Sequence, residues 1–387
     1  MRPIAQRMEK ISTYFFASLN EKIAARTAEG HDVIRLDMGS PDLPPAPPTI
    51  EALNRSAANP VNHGYQPHRG PQALRDAWAI MYRRVFEVEL DPEREVVPLL
   101  GSKEGIFHLI QVVVDPGDVV LIPDPGYPTY TGGTLFAGGE PFYIPLLSER
   151  NFLPDLSAIP PNITKRAKML WLNYPNNPST AIAPLEFFAE AVEFAREYDL
   201  LVCHDAAYTQ VTYNGYQAPS ILQIPGAKEV AVEFNSLSKS HNMAGWRVGA
   251  AVGNPTTLSA LNSLKTNVDS GHFLPIMEAA ICSLNGDQGW LLERNDVYRQ
   301  RRDVVIQGLQ AVGMQARIPS ATLYVWSSVP EGWASLEFTS ALLEEGNLSL
   351  APGPVFGDMG EGYVRISLAA PLERISEAMT RLNDWLR

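Results

Sequence analysis

Between Val96 and Val252 the chain carries a series of short apolar runs: Val96-Val-Pro-Leu-Leu100, Asp118-Val-Val-Leu-Ile-Pro123, Ala167-Lys-Met-Leu-Trp-Leu-Asn173, Leu200-Leu-Val-Cys-His204, Glu229-Val-Ala-Val-Glu-Phe234 and Val248-Gly-Ala-Ala-Val252. They are apolar through most of their length instead of alternating, which is the pattern of strands buried on both faces. Helical stretches such as Ile106 to Val114 and Leu185 to Tyr198 fall between them. Parallel strands need long crossovers, and those crossovers cover the faces of the sheet. The pattern therefore predicts an α/β fold, a mostly parallel sheet sandwiched by helices. In such folds ligands collect outside the C-terminal strand ends.

The rhythm changes after Leu274. A helical stretch broken at Gly286-Asp-Gln-Gly289 leads to short strands at Leu323–Ser327, Leu348–Ala351 and Tyr363–Leu368, with helices at Ser335–Glu345 and Leu372–Leu386. This predicts a smaller α+β domain. We place the large domain at 49–285 and the small one at 1–48 with 286–387. Near the N-terminus, Ile11 to Ala28 reads as an amphipathic helix and Val33–Asp37 as a strand. Met38 to Pro48 reads as a proline-rich crossing with little regular structure.

Hydrophobic residues make up 45% and charged residues 19%, as in a folded globular protein. A net charge of -12 argues against nucleic acid or an anionic membrane as partner. Cys203 and Cys282 lie far apart, without metal-type spacing, so neither a metal nor a disulfide is expected. The stretch from Met1 to Lys22 lacks the unbroken apolar core of a signal peptide, and no apolar run has the length of a membrane span. These features make the cytoplasm the expected location.

The chemistry-bearing residues fall at strand ends. Lys239 lies in Ser236-Leu-Ser-Lys-Ser-His-Asn-Met-Ala-Gly-Trp-Arg-Val-Gly249, between two apolar runs. A lysine there can form a Schiff base with an aldehyde cofactor. Ser236, Ser238 and Arg247 can hold a phosphate by charge-assisted hydrogen bonds. Gly101-Ser-Lys-Glu-Gly105 opens a helix after an apolar run; it is either an anion site or an ordinary serine cap. Tyr127, Asn177 and Tyr208 follow other runs. Asp205 ends one and needs a cation, which a protonated ring nitrogen would supply. Arg365 is the one conspicuous charge in an apolar strand, facing either solvent or a cleft.

Together these residues, in this order, resemble the class I/II aminotransferases, fold-type I enzymes that use pyridoxal 5'-phosphate. The resemblance makes Lys239 the lysine that carries the cofactor and Asp205 the partner of its ring nitrogen. Asn177 and Tyr208 would bond the phenolic oxygen, Tyr127 would stack on the ring, and Ser102, Lys103, Ser236, Ser238 and Arg247 would hold the phosphate. Arg365 would bind the substrate α-carboxylate, and Asn177 would share in substrate binding. Tyr65, in His63-Gly-Tyr-Gln66, would reach the partner subunit's cofactor, which implies a homodimer with shared sites. Three stretches, Gly101–Ile106, Leu172–Pro178 and Asp269–Phe273, are similar to the LL-diaminopimelate aminotransferase subgroup, where Tyr14 and Gly39 would contact substrate. After Pro178 the family usually has Thr-Gly; this chain has Ser179-Thr180. The implied function is ping-pong amino transfer between an amino acid and a 2-oxo acid, on diaminopimelate-like or aspartate/glutamate-like substrates. The alternative is a β-eliminating lyase on the same scaffold.

Overall fold

Strand β1 (Ile34–Arg35) is short, and the apolar runs begin after it as strands of one sheet. They become β2 (Val96–Leu99), β3 (Val119–Asp124), β5 (Ala167–Leu172), β6 (Leu201–Asp205), β7 (Ala231–Ser236) and β8 (Gly249–Gly253), with β4 (Glu140–Pro145) completing the set. The order across this seven-stranded sheet is β2-β8-β7-β6-β5-β3-β4. All neighbours are parallel except around β8, which runs antiparallel to both β2 and β7. The computed structural model describes residues 4–10 and 15–387.

β4 does not stand out in the sequence because it carries Pro141 and Pro145. It pairs only with β3, and an edge strand tolerates proline because one side of its backbone needs no partner. The strand anticipated from Glu229 begins at Ala231; Glu229 and Val230 instead finish a one-turn helix, Ala227–Val230.

Two apolar layers cover the sheet. On one face, helices Gln72–Phe86, Leu185–Tyr198 and Leu274–Asn285 contribute Trp78, Tyr82, Phe188 and Met277. On the other, helices Ser102–Val113 and Pro255–Lys265 pack Ile106, Leu109 and Leu258 against Trp171 and Phe234. Each large apolar side chain buried in this way stabilises the fold by about 1.5–3 kcal/mol.

A separate core gathers Ile34, Leu36, Tyr298, Phe338, Ile375 and Leu382. It lies between helices Gly289–Ala311, Ser335–Gly346 and Leu372–Leu386 and the strands β9 (Tyr324–Ser328), β10 (Leu348–Ser349), β11 (Ala351–Pro352) and β12 (Tyr363–Ser367). The anticipated strand Leu348–Ala351 is divided: β10 pairs with β1, whereas β11 joins the antiparallel sheet β11-β12-β9. The proline-rich crossing also ends earlier than expected. Pro47 and Pro48 open helix Pro47–Ala57, where their missing N–H groups cost nothing. The first long helix is described from Phe15, and Ile11 to Tyr14 lie outside the described residues. No helix among the described residues is long and apolar enough to cross a membrane.

Candidate active site

Six of the seven strands run the same way and end at one edge of the large sheet, and the segments after β2, β3, β5, β6 and β7 form the floor of a cavity of about 420 Å3. The antiparallel β8 starts at that same edge, which is why Arg247, two residues before it, comes to the site of Lys239.

Lys239 follows β7 in the single turn Leu237–Ser240, capped by the Ser236 hydroxyl accepting from the Ser238 N–H at 3.2 Å. Its amine donates to the carbonyl of Gly39. Burial holds the ammonium below the ordinary lysine range; Tyr324 opposes this, while Arg365 and Arg247 add to it. Asp205, the last residue of β6, accepts from the Tyr130 hydroxyl on Oδ2 at 2.9 Å. Tyr130 is fixed by stacking on Trp171 at 4.7 Å. Asp205 Oδ1 is buried and has no partner. Burial raises the Asp205 carboxyl above the usual range, against the opposing pull of Tyr130 and His204. An unpartnered carboxylate oxygen in that setting is costly, and it fits a ligand that brings a hydrogen and positive charge.

After β5, Asn173 ties the loop together. It donates to the Asp205 carbonyl at 2.7 Å and accepts from the Asn177 N–H at 2.8 Å. Asn177 Oδ1 in turn accepts from Arg365 at 2.8 Å. The second donor of Arg365 reaches the Asp37 carbonyl at 2.8 Å, and its guanidinium lies over Tyr324 at 4.2 Å and Phe356 at 4.7 Å. Arg365 is 4% exposed, so its strand presents it to the cleft and not to solvent. Tyr208 and Tyr324 share a hydrogen bond of 2.9 Å between their hydroxyls.

The other end of the site is built for an anion. Gly101, at φ 82°, caps helix Ser102–Val113, so Ser102 is the first helical residue and not the cap. A Cβ at Gly101 would meet the Arg247 guanidinium, and one at Gly249 would meet the Ser102 N–H. The two glycines thus leave room around the first N–H groups of the helix, beside an arginine. Arg247, itself at φ 58°, donates to the Ser238 hydroxyl at 3.3 Å and the Ala244 carbonyl at 2.8 Å. Lys103 places its amine 5.9 Å from the centre of the Tyr127 ring.

Of the residues singled out by sequence, Gly39, Ser102, Tyr127, Asn177, Asp205, Tyr208, Lys239 and Arg365 line the one cavity. Lys103, Ser236, Ser238 and Arg247 stand beside it. Tyr65 does not join them: it is 93% exposed, on the loop before helix Gln72–Phe86. Tyr14 lies outside the described residues. The cavity also takes in Phe16, Asp37, Tyr324 and Phe356, which the sequence does not single out. Tyr324 sits in an apolar run, where an aromatic gives no sign that it walls a cavity. The register Ser367↔Tyr324 of β12 and β9 is not visible in sequence.

The fold and site define a fold-type I enzyme whose cavity joins a buried lysine, a buried arginine and a helix N-terminus. Residues 31–382 match the family described as aminotransferase class I and II, and the chain belongs to that family and is an aminotransferase. It is 50% identical over 382 residues to the LL-diaminopimelate aminotransferase of Moorella thermoacetica, covering 99% of this chain and 98% of that one. Among solved structures, it is similar to substrate-bound BacF from Bacillus subtilis, with 36% identity, a TM-score of 0.96 and coverage of 100% and 98%. It is also similar to a probable N-succinyldiaminopimelate aminotransferase from Thermus thermophilus, with 37% identity, a TM-score of 0.90 and coverage of 95% and 99%. These relatives lend nothing to the β-eliminating alternative.

Proposed function

We propose that this aminotransferase uses pyridoxal 5'-phosphate and takes LL-diaminopimelate as amino donor. The observation that carries the cofactor reading is Asp205 Oδ1, a buried carboxylate oxygen with no partner in the same cavity as Lys239. The glycine cradle at Gly101 and Gly249 independently fits a phosphate. The substrate reading rests on the names of the relatives and on Arg365, which lines the cavity with only neutral oxygens as partners and so suits an α-carboxylate.

Ser102, the Lys103 N–H, Ser236, Ser238 and Arg247 would hold the phosphate. Asp205 would accept the ring nitrogen's hydrogen, Tyr208 and Asn177 would bond the phenolic oxygen, and Tyr127 would cover the ring. Bound pyridoxal phosphate supplies an electron sink for the pair released when the substrate Cα loses its proton. Lys239 is the base: with its ammonium disfavoured by burial, its neutral Nζ can take the Cα proton and return it during the same half-reaction. Arg365 holds the α-carboxylate, and with Asn177 it fixes which Cα bond faces Lys239. A second oxo acid then reverses the sequence in the same site, giving ping-pong kinetics.

The two cores support a division into a large domain, 49–285, and a small one, 1–48 with 286–387, with Ala207, Tyr208, Val211 and Tyr213 of the large domain packing into the smaller one's core. The exposure of Tyr65 supports its reaching a second subunit, in a cytoplasmic homodimer with shared sites. Gly39 and Tyr14 would contact substrate. The experiment is a screen of amino donors against 2-oxoglutarate and pyruvate. LL-diaminopimelate should lead the donors and yield a 2-oxo acid with a new amino acid. Release of pyruvate and ammonia from a β-substituted donor, without an acceptor, would count against it.

A further inference from the structure

Lys239 follows β7 of the large sheet, yet a helix packed in the other core holds its backbone. The turn of Lys239 stops at Ser240, and the His241 and Met243 N–H groups both go to the Leu237 carbonyl. Neither serves the Lys239 carbonyl. Arg294, on helix Gly289–Ala311, does: its Nη1 donates there at 2.7 Å. Its Nη2 donates to the carbonyl of Gln210, two residues beyond Tyr208, at 3.1 Å. A guanidinium can only donate and a carbonyl can only accept, so the direction of both bonds is fixed.

Arg294 is 3% exposed, and neither bond goes to a carboxylate. Its guanidinium lies 5.8 Å from the ring centres of both Trp290 and Tyr298. Burial pulls it down to about 10, which still leaves it charged at neutral pH. A cation this deep is costly without a carboxylate partner, and an apolar side chain could fill the same space. An apolar side chain could not fasten together the main-chain segments that follow β6 and β7.

The same helix reaches the other end of the lysine. The Lys239 amine donates to the Gly39 carbonyl. Three residues on, Asp42 takes a bidentate pair from Arg301, at 2.7 and 2.9 Å. Arg294 and Arg301 stand two helical turns apart, so they share a face with roughly 10 Å of helix between them. We propose that Arg294 is a positioning residue for Lys239: with Arg301 and Asp42, it makes helix Gly289–Ala311 a fixed spacer between the Lys239 backbone and the carbonyl on which the amine rests. The amine is then kept in the buried place where its ammonium is disfavoured. The proposal rests on the reading of Lys239 as the base only in its kinetic test.

The first test uses the cofactor-free full chain. Lysines are acetylated with acetic anhydride across a pH series, and peptide mass spectrometry follows Lys239. Arg294→Met keeps the length and loses the donors. Its Lys239 midpoint should rise toward that of an exposed lysine, by about tenfold in proton concentration. The charges that bear most on this amine are those of Tyr324, Arg365, Arg247 and Asp205, so the rise reports movement and not the loss of the Arg294 charge. Arg301→Gln should move the midpoint the same way, and Arg294→Lys, which keeps a donor, should restore much of it. An unmoved midpoint in folded Arg294→Met overturns the proposal.

The second test is steady-state kinetics of the loaded enzyme. Arg294→Met should lower kcat about 100-fold, as for a reacting group about 1 Å out of place, with KM changed by less than about threefold. In a Lys239→Ala background supplied with methylamine as external base, Arg294→Met should bring no further loss, because no tethered amine is left to aim. A further loss of the same size would show that Arg294 acts on the fold at large, and sinks the positioning role. If Lys239→Ala keeps full activity, the reading of Lys239 as the base fails, and the acetylation test alone decides the proposal. Should Arg294→Met not fold, Arg301→Gln carries both tests.

Discussion

Replacing Arg365 separates the recognition of substrate from the chemistry. The guanidinium is 4% exposed, and both its hydrogen-bond partners, Asn177 Oδ1 and the Asp37 carbonyl, are neutral oxygens at 2.8 Å. They orient the charge without cancelling it, so a substrate carboxylate would be its main counter-charge. Truncating one member of a buried charge pair costs about 2–5 kcal/mol, which is about 30-fold to several thousand-fold in kcat/KM. The depth of burial places Arg365→Ala in the upper half of that range. Arg365→Lys keeps a point charge but loses the planar fork, a loss of about 1.5–3 kcal/mol, or about 10- to 150-fold. The assay is steady-state kcat/KM for several donors and several 2-oxo acid acceptors, with a thermal melt beside it. The melt is needed because Arg365 also packs on Tyr324 and Phe356. Every amino acid and every oxo acid shares the α-carboxylate, so all should lose by the same factor. A loss confined to one substrate would show that Arg365 reads a side chain. A lower melting temperature with unchanged kcat/KM would show that its role is packing.

Other perturbations probe the remaining parts of the site. Because burial holds the Lys239 ammonium below the ordinary lysine range, its neutral form persists to lower pH than that of an exposed lysine; addition of pyridoxal phosphate to cofactor-free protein should begin at correspondingly lower pH, with borohydride fixing the label on Lys239 and on no other lysine. Gly101→Ala forces a side chain onto a φ of 82° and against Arg247, so cofactor retention in equilibrium dialysis should fall about tenfold while Gly30→Ala, with open space around it, leaves retention unchanged. Tyr324→Phe removes the hydroxyl partner of Tyr208 and should displace the cofactor's visible absorbance; an unchanged spectrum would mean that the Tyr208–Tyr324 bond has no influence on the ring. Tyr65→Phe mixed with Lys239→Ala under confirmed subunit exchange should regain activity above either parent, provided that Tyr65→Phe alone is impaired; no recovery would place Tyr65 within its own chain's site.

The large sheet was legible because strands buried on both faces leave continuous apolar runs, and the helices between them follow from parallel crossovers. β4 escaped notice because an edge strand is under neither constraint: it is half-exposed and holds two prolines. The cavity-lining residues were legible because strand ends concentrate polar residues against an apolar background, as with Asp205 and Lys239. Tyr324 and Phe356 were not, since an aromatic in a strand or a turn looks the same whether it packs in a core or walls a cavity. Only the antiparallel pairing of β9 with β12 brings Tyr324 beside Arg365.

The walls of the cavity come from different parts of the chain. Lys239, Asp205 and Asn177 stand on the seven-stranded sheet, whereas Gly39, Tyr324 and Arg365 arrive from segments near the two termini. In the proposed reading a substrate bound at its α-carboxylate by Arg365 and presented to Lys239 would touch both cores at once, so the site is complete only while the two stand together. Grafting residues 34–40 and 324–367 from a relative with another donor preference would exchange only the wall that Gly39, Tyr324 and Arg365 supply. Lys239, Asp205 and Ser102 would remain where they are.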